Sequence, residues 1–241
     1  MDGYFGEDVA ARYDDPASQM FQAETVDRTA GVLAELAAGG RALEFAIGTG
    51  RIALPLAARG VDVQGIDLSR AMVAKMREKP GGDLPVAFGD FATTRVEGEF
   101  ALVYLVFNTI MNLTTQDAQV DCFGNAAAHL APGGAFVVEV MVPQLRLLPP
   151  GQTAVPFSVA PDRIAYDVYD LATQAMSSNY VEPAGDAHVF RSIPFRYAWP
   201  SELDLMARLA GMTLTDRWAD WSKEPFTGES ERHVSVWRRP V

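Results

Sequence analysis

Short, nearly unbroken apolar runs alternate with amphipathic stretches along the first 142 residues of the chain. The runs are ALEFAI (42–47), VDVQGID (61–67), PVAFGD (85–90), FALVYLVF (100–107) and AFVVEVMV (135–142). Runs of this length, with little polar alternation, predict strands buried on both faces of a parallel sheet. Between them, RIALPLAARG, RAMVAKMREK behind a Ser69 cap, and QDAQVDCFGNAAAHLA predict helices. Gly60, Pro80-Gly81-Gly82 and Pro132-Gly133-Gly134 stop them in turn. Strand and helix in alternation mean right-handed crossovers, hence an α/β fold with helices on both sides of the sheet. Ahead of the first strand, residues 1–40 read as helix, with Phe21, Val26, Val32, Leu33 and Leu36 near helical spacing.

The pattern changes after residue 143. PQLRLLPPGQTAVP reads as a proline-rich linker, followed by three strands of an antiparallel meander, RIAYDVYDLA, AMSSNYVEP and HVFRSIPFRYAW. In the last, Val189, Ile193, Phe195, Tyr197 and Trp199 share one face by period two, interrupted by Arg191. SELDLMARLAG, capped by Ser201, reads as a final helix, and MTLTDRWADW and RHVSVWRR as two strands paired antiparallel at a sheet edge. Four parts result: a helical lid (1–40), a core (41–142), an antiparallel cap insertion (143–199), and a C-terminal helix and hairpin (200–241) that complete the core.

Composition removes several function classes. Of 241 residues, 49% are hydrophobic and the net charge is −11, without a Lys/Arg block, which argues against nucleic acid and anionic membrane as partners. A small molecule, neutral or cationic, suits that field better. The longest apolar run spans eight residues, against roughly 20 for a membrane helix. The single cysteine, Cys122, leaves no internal disulfide and no multi-cysteine metal site. No His/Asp/Glu grouping has metal-ligand spacing, so no metal is expected. The N-terminal residues lack the basic and apolar regions of a secretory signal, and a cytoplasmic setting is expected.

The candidate chemistry begins with Gly48-Thr49-Gly50-Arg51-Ile52-Ala53, which matches the dinucleotide pattern G-x-G-x-x-G/A, with Asp67 following at the right distance for a ribose. A nicotinamide nucleotide therefore has to be considered. Glu44 argues against it: a pyrophosphate wants bare N–H groups at such a loop, and a carboxylate nearby repels it. A cofactor with an ammonium and a sulfonium raises no such objection.

LEFAIGTG resembles the first motif of the class I S-adenosylmethionine-dependent methyltransferases, with Ala46 in place of the first glycine, a change that should cost little. GIDLSRAMV, FGDF and AHLAPGGAFVVEV resemble the family's later motifs in register. The resemblance implies a Rossmann-like seven-stranded sheet of order 3-2-1-4-5-7-6, with the last strand antiparallel. It implies S-adenosylmethionine as cofactor, S-adenosylhomocysteine as product, and a small-molecule methyl acceptor. By the same resemblance Ala46, Gly48, Thr49, Gly50 and Arg51 form the loop under the methionyl part, with Glu44 beneath it. Asp67 holds the ribose, Leu68 and Met72 border the adenine, Asp90 accepts from its amino group and Phe91 flanks the ring. Phe107 and Asn108 lie where the chain passes the sulfur, and Tyr13 resembles an N-terminal tyrosine that folds over the carboxylate end.

Candidate catalytic residues are Tyr13, Asn108 and Glu139, the last a carboxylate inside an apolar strand. Glu139 is either a base or ammonium-binding group of raised pKa, or a side chain at a polar seam. Other acceptor-side candidates are Met111, Asn112, Met141, Gln144, Tyr166, Tyr169, Arg196 and Trp199. His129 is expected to complement a helix dipole as a cation, His233 to lie at the surface, and His188 to be at most a cap residue facing the substrate. Cys122 reads as a small core residue. The insertion is of the kind that roofs a pocket, forms a homodimer face, or does both. The expected activity is methyl transfer to nitrogen or oxygen, nitrogen slightly favoured because no base for a hydroxyl can be named. Two other readings stay open: an NAD(P)-dependent oxidoreductase, and a cofactor-binding module without chemistry.

Overall fold

The computed structural model describes residues 4–14, 19–185 and 187–241. A seven-stranded sheet forms the core from β1 (Ala42–Phe45), β2 (Val63–Asp67), β3 (Val86–Phe88), β4 (Phe100–Leu105), β5 (Leu130–Met141), β10 (Thr213–Trp218) and β11 (Arg232–Arg238). Its order is β3-β2-β1-β4-β5-β11-β10, and β11 runs antiparallel to both neighbours. All four residues of β1 are buried, as a central parallel strand requires. Along β4 successive side chains enter opposite layers. Leu102 and Tyr104 pack with Leu33, Ile52 and Leu56, whereas Val103 and Leu105 pack with Phe123, Phe136 and Trp237.

Helices α3 (Ala53–Ala57), α4 (Arg70–Arg77), α5 (Gln116–His129) and α6 (Pro200–Leu209) follow their strands. Ser69 caps α4 by accepting the Met72 N–H at 3.1 Å. The expected Ser201 cap is not made: α6 opens one residue earlier, on Pro200 at its first turn behind Trp199. The N-terminal stretch is not one helix. Its described part holds a short α1 (Glu7–Ala10), a 3-10 turn at Gln19–Phe21 and α2 (Ala23–Ala37); residues 1–3 and 15–18 lie outside the described residues. α2 carries the apolar stripe that the spacing indicated, with Val32 and Leu33 buried.

The cap is a four-stranded antiparallel meander, β6 (Ala154–Ala160), β7 (Arg163–Tyr169), β8 (Ala175–Ala184) and β9 (Ala187–Arg196), in that order. Four strands stand where three were expected, because the proline-rich stretch masks the start of β6. Pro156 and Pro194 sit on β6 and β9, the two edge strands, where a missing N–H breaks no inner ladder, and the register slips beside Pro156.

A buried polar network ties the cap to the core. Arg196 is buried and donates to Gln119 Oε1 (2.6 Å), Glu202 Oε1 (2.7 Å) and Gln174 Oε1 (3.2 Å). Gln174 donates in turn to Glu202 Oε2 at 2.7 Å. Arg196 therefore anchors the cap and does not face the acceptor side. Removing one partner of such a pair leaves a buried charge, a loss of about 3–5 kcal/mol.

Candidate active site

The glycine loop is pressed between strand ends. Ala46, Gly48 and Gly50 all have left-handed backbones, with φ of 56°, 57° and 75°. A Cβ at Gly50 would come within 2.7 Å of Met76 and 2.9 Å of Leu54, so no larger residue fits there. Ala46 is a different matter: its left-handed φ makes the replacement of glycine more costly than its small size suggested, by about 1–2 kcal/mol of steric strain. Two loop N–H groups are satisfied within the protein, Gly48 N donating to Asp67 Oδ2 at 2.6 Å and Gly50 N to the Ile47 carbonyl at 3.0 Å. Ser69 N donates to the other Asp67 oxygen at 2.7 Å.

Beneath the loop, Glu44 is buried, with 3% of its surface exposed. Tyr104 donates its hydroxyl hydrogen bond to Glu44 Oε2 at 2.8 Å. Burial pushes the Glu44 carboxyl up to about 8, against the opposing effects of the Tyr104 hydrogen bond and the Arg51 charge. Tyr104 is a site residue that sequence reasoning missed. Its only signal was a phenol in the middle of an otherwise apolar strand, a group that needs a partner when buried.

The N-terminal segment lies across the loop. Ser69 Oγ donates to the Phe5 carbonyl at 2.5 Å, and Thr49 Oγ1 donates to Asp14 Oδ1 at 2.6 Å. Lys79 bridges Asp14 (2.5 Å) and the Thr49 carbonyl (2.8 Å), and Arg51 donates to the Met20 carbonyl at 3.0 Å. Tyr13 packs edge-on between Phe5 and Phe21. Burial raises its phenol pKa, opposed by Arg51 and reinforced by Asp67, Asp14 and Glu44, so its hydroxyl shares one electrostatic environment with the loop acids.

On the side expected for adenine, Met72 is buried under the loop, its Cε 3.5 Å from where a Gly48 Cβ would stand. Leu68 is 52% exposed at the end of β2. Asp90 accepts the Ala92 N–H at 2.8 Å, which shapes the turn after β3. Phe91 leans on Phe45, with ring centres 6.0 Å apart, and its carbonyl accepts from Asn125 at 2.6 Å.

After β4 the chain holds two consecutive left-handed residues, Phe107 and Asn108, both at φ 57°. The Glu139 carboxylate accepts the Phe107 N–H at 3.0 Å, Asn108 Oδ1 accepts the Met141 N–H at 2.7 Å, and Asn108 N donates to the Glu139 carbonyl at 3.1 Å. Glu139 and Asn108, two of the three catalytic candidates, thus brace this turn. It leaves the Phe107 ring partly exposed, beside the Arg51 guanidinium at 5.5 Å.

Two histidines differ from expectation. His129 is buried, and burial lowers its pKa; it accepts the Val96 N–H at 3.0 Å, so it is a neutral core group and not a dipole-complementing cation. His233 is buried beside Ser235 Oγ (2.7 Å) in β11, between strands β5 and β10 and not at the surface. Burial, with Arg217 nearby, pushes it down to about 3. His188 is exposed on β9, and Cys122 lies in the core as expected. Among the described residues no group of three or more His, Cys, Asp and Glu could hold a metal ion, and no helix is long and apolar enough to cross a membrane.

Known proteins resemble this arrangement. Residues 42–134 match the model of a family described as a methyltransferase domain. The whole chain is similar to the CcbJ methyltransferase of Streptomyces caelestis, at 33% identity with 100% of both chains covered and a TM-score of 0.88. The cypemycin N-terminal methyltransferase of a Streptomyces species is 25% identical over 205 residues, 83% of this chain and 84% of that protein. CalS10, an amino pentose methyltransferase of Micromonospora echinaspora, shares the fold at 20% identity, 95% coverage of each chain and a TM-score of 0.70.

Proposed function

Because the chain belongs to the class I S-adenosylmethionine-dependent methyltransferases, we propose that it methylates a nitrogen, or less favourably an oxygen, of a small molecule. The observation that carries the cofactor side of this reading is Glu44, a buried carboxylate beneath a loop whose Gly48 and Gly50 N–H groups already have protein acceptors. A pyrophosphate would find few free donors there and would oppose the ionisation of Glu44, which disfavours the nicotinamide alternative. A cation over the loop would instead offset the desolvation of Glu44.

When bound, S-adenosylmethionine supplies an electrophilic methyl on sulfur, ready for in-line displacement. In this reading Glu44 serves the methionyl ammonium, Asp67 the ribose, and Asp90, Phe91, Leu68 and Met72 the adenine. Tyr13 and residues 4–14 act as the lid, and the meander as the cap over the acceptor. Phe107 borders the sulfur, positioned by Glu139 and Asn108. Nitrogen is favoured because the Glu139 carboxylate is already bonded to Phe107 N–H, and a neutral amine needs chiefly positioning. The cypemycin N-terminal methyltransferase, by its name acting at an N-terminus, accords with the same preference.

Isothermal titration of S-adenosylhomocysteine and NADH against the wild type and Asp67→Ala tests the cofactor assignment. S-adenosylhomocysteine should bind and NADH should not, and Asp67→Ala should weaken binding at least tenfold; NADH binding alone would defeat it. A turnover screen with amines, phenols and amino sugars tests the acceptor class and separates an enzyme from a binding module.

A further inference from the structure

The inner face of the cap carries an acid that the sequence pattern did not single out. Asp167 stands in β7 between Ala165 and Tyr169 on the face turned toward the core, only 8% exposed. Directly opposite on β8, Ser178 Oγ donates to Asp167 Oδ1 at 2.6 Å. Two residues along, the Tyr169 hydroxyl is fully buried and faces the Asp167 carboxylate and the Gln144 backbone without reaching full hydrogen-bond geometry to either; burial and the nearby carboxylate raise its pKa. Among the described residues no cation pairs with Asp167. The cap's Arg163 and Arg191 are directed to Glu182, at 3.9 and 3.3 Å.

A buried carboxylate with one well-formed hydroxyl donor, beside a buried hydroxyl whose contacts fall short of full hydrogen-bond geometry, is poorly compensated. An incompletely compensated acid at the mouth of a fold is a candidate ligand site. The surroundings say which ligand. The Tyr169 hydroxyl neighbours the backbone of Gln144, just past the carboxyl end of β5, and its ring packs on Tyr197 at 5.6 Å. Tyr180, paired with Ala165 on the same face, lies within electrostatic range of both Asp167 and Tyr4 of the N-terminal segment. Asp167 therefore lies on the cap face whose Tyr169 and Tyr197 belong to the same apolar cluster as Met141 and Leu145 at the strand ends, where a doubly wound sheet takes its substrates.

We propose that Asp167, with the Tyr169 hydroxyl beside it, is the acceptor-recognition site of this protein, and that it takes an amine group. The carboxylate and the phenol oxygen accept the amine's N–H hydrogen bonds, which supplies the compensation that Ser178 alone does not. The chain's net charge of −11 draws cationic amines toward the site. The inference rests on the methyltransferase reading and deepens it by naming the acceptor class; Asp167 acts on specificity and positioning.

The test uses the full chain loaded with S-adenosylhomocysteine, which keeps small amines away from Glu44. Benzylamine and benzyl alcohol, alike in shape and different in charge, are titrated by ligand-observed NMR. The wild type should bind benzylamine at least tenfold more tightly. Asp167→Asn should bring the two probes within about threefold, Asp167→Glu should restore part of the preference, and Tyr169→Phe should weaken benzylamine severalfold. S-adenosylhomocysteine affinity should stay unchanged and Tyr169→Phe should not lower the melting temperature, whereas a merely structural role would shift stability and leave the probe ratio as it is. Equal binding of the two probes by the wild type overturns the proposal, as does a preference that survives Asp167→Asn. Should Asp167→Asn not fold, the wild-type ratio and Tyr169→Phe decide alone. Failure to bind S-adenosylhomocysteine strikes the cofactor reading instead, and the probe ratio is then measured on the ligand-free chain.

Discussion

Glu139 accepts the backbone N–H of Phe107 at 3.0 Å across the ends of β5 and β4, and so holds a bulky residue in a left-handed conformation that it would otherwise avoid. A backbone of that kind costs on the order of 1–3 kcal/mol and persists only when its surroundings over-determine it. Here the Glu139 carboxylate and the Asn108–Met141 hydrogen bond do so.

A bracing Glu139 and a proton-accepting Glu139 predict different variants. Glu139→Gln keeps a carbonyl oxygen for Phe107 N–H and should retain kcat within about threefold on any acceptor found by screening. Glu139→Ala should lose at least tenfold in kcat, together with about 1–3 kcal/mol of stability in urea unfolding. Near-complete loss of turnover in the Gln variant, with stability unchanged, would assign the residue to proton transfer.

Ala46 offers a stabilising change. Glycine at its φ of 56° removes the Cβ clash but adds unfolded-state freedom, so Ala46→Gly should gain up to about 1 kcal/mol. The denaturation midpoint in urea checks this, and a lowered midpoint would mean that the methyl packs better than its backbone suffers.

Glu44 makes cofactor binding depend on pH. Its carboxyl stands at about 8 in the folded protein, raised from 4.5. A raised carboxyl contributes stability that is present below its unfolded value and lost as pH rises through the folded one, so the ligand-free protein weakens between 4.5 and about 8. A bound ammonium favours the ionised form, so S-adenosylhomocysteine should bind more tightly as pH rises toward 8 and should expel a proton at pH 7. Calorimetry in phosphate and in Tris should then give different heats, a difference that Glu44→Gln abolishes. Identical heats for the wild type would place the ammonium elsewhere.

His233 has the opposite sign. Its folded value, about 3, lies below the ordinary 6.5, so its contribution is present above 6.5 and is lost as pH falls toward 3, a few kcal/mol at most. Imidazole NMR signals of His233 should show no protonation down to about pH 4 in the folded chain; a midpoint near 6.5 would refute its burial.

The strands and their order were legible because a buried parallel strand leaves a plain mark, an apolar run bounded by glycine or proline. The loop acids were legible through motifs in register. Three things were not. Pro156 hid β6, since a proline argues against a strand until it is known to be an edge. His233 reads as a surface residue because RHVSVWRR, flanked by arginines, looks like an edge strand, although the implied order 3-2-1-4-5-7-6 already sets that strand between two others. Asp167 and Tyr104 were silent because each draws its meaning from a neighbour distant in sequence, Ser178 for one and Glu44 for the other, and one-dimensional spacing cannot bring those pairs together.

The beginning of the chain is fastened over the glycine loop partly by charge, through Asp14 and Lys79, and partly by neutral bonds from Ser69 and Thr49. On the lid reading proposed above, a nucleoside-sized guest enters and leaves past these fastenings. On that reading the traffic of ligand should answer to ionic strength, which loosens Asp14 from Lys79 while leaving the floor of the crevice untouched. Salt would change how long a guest stays more than how well it fits.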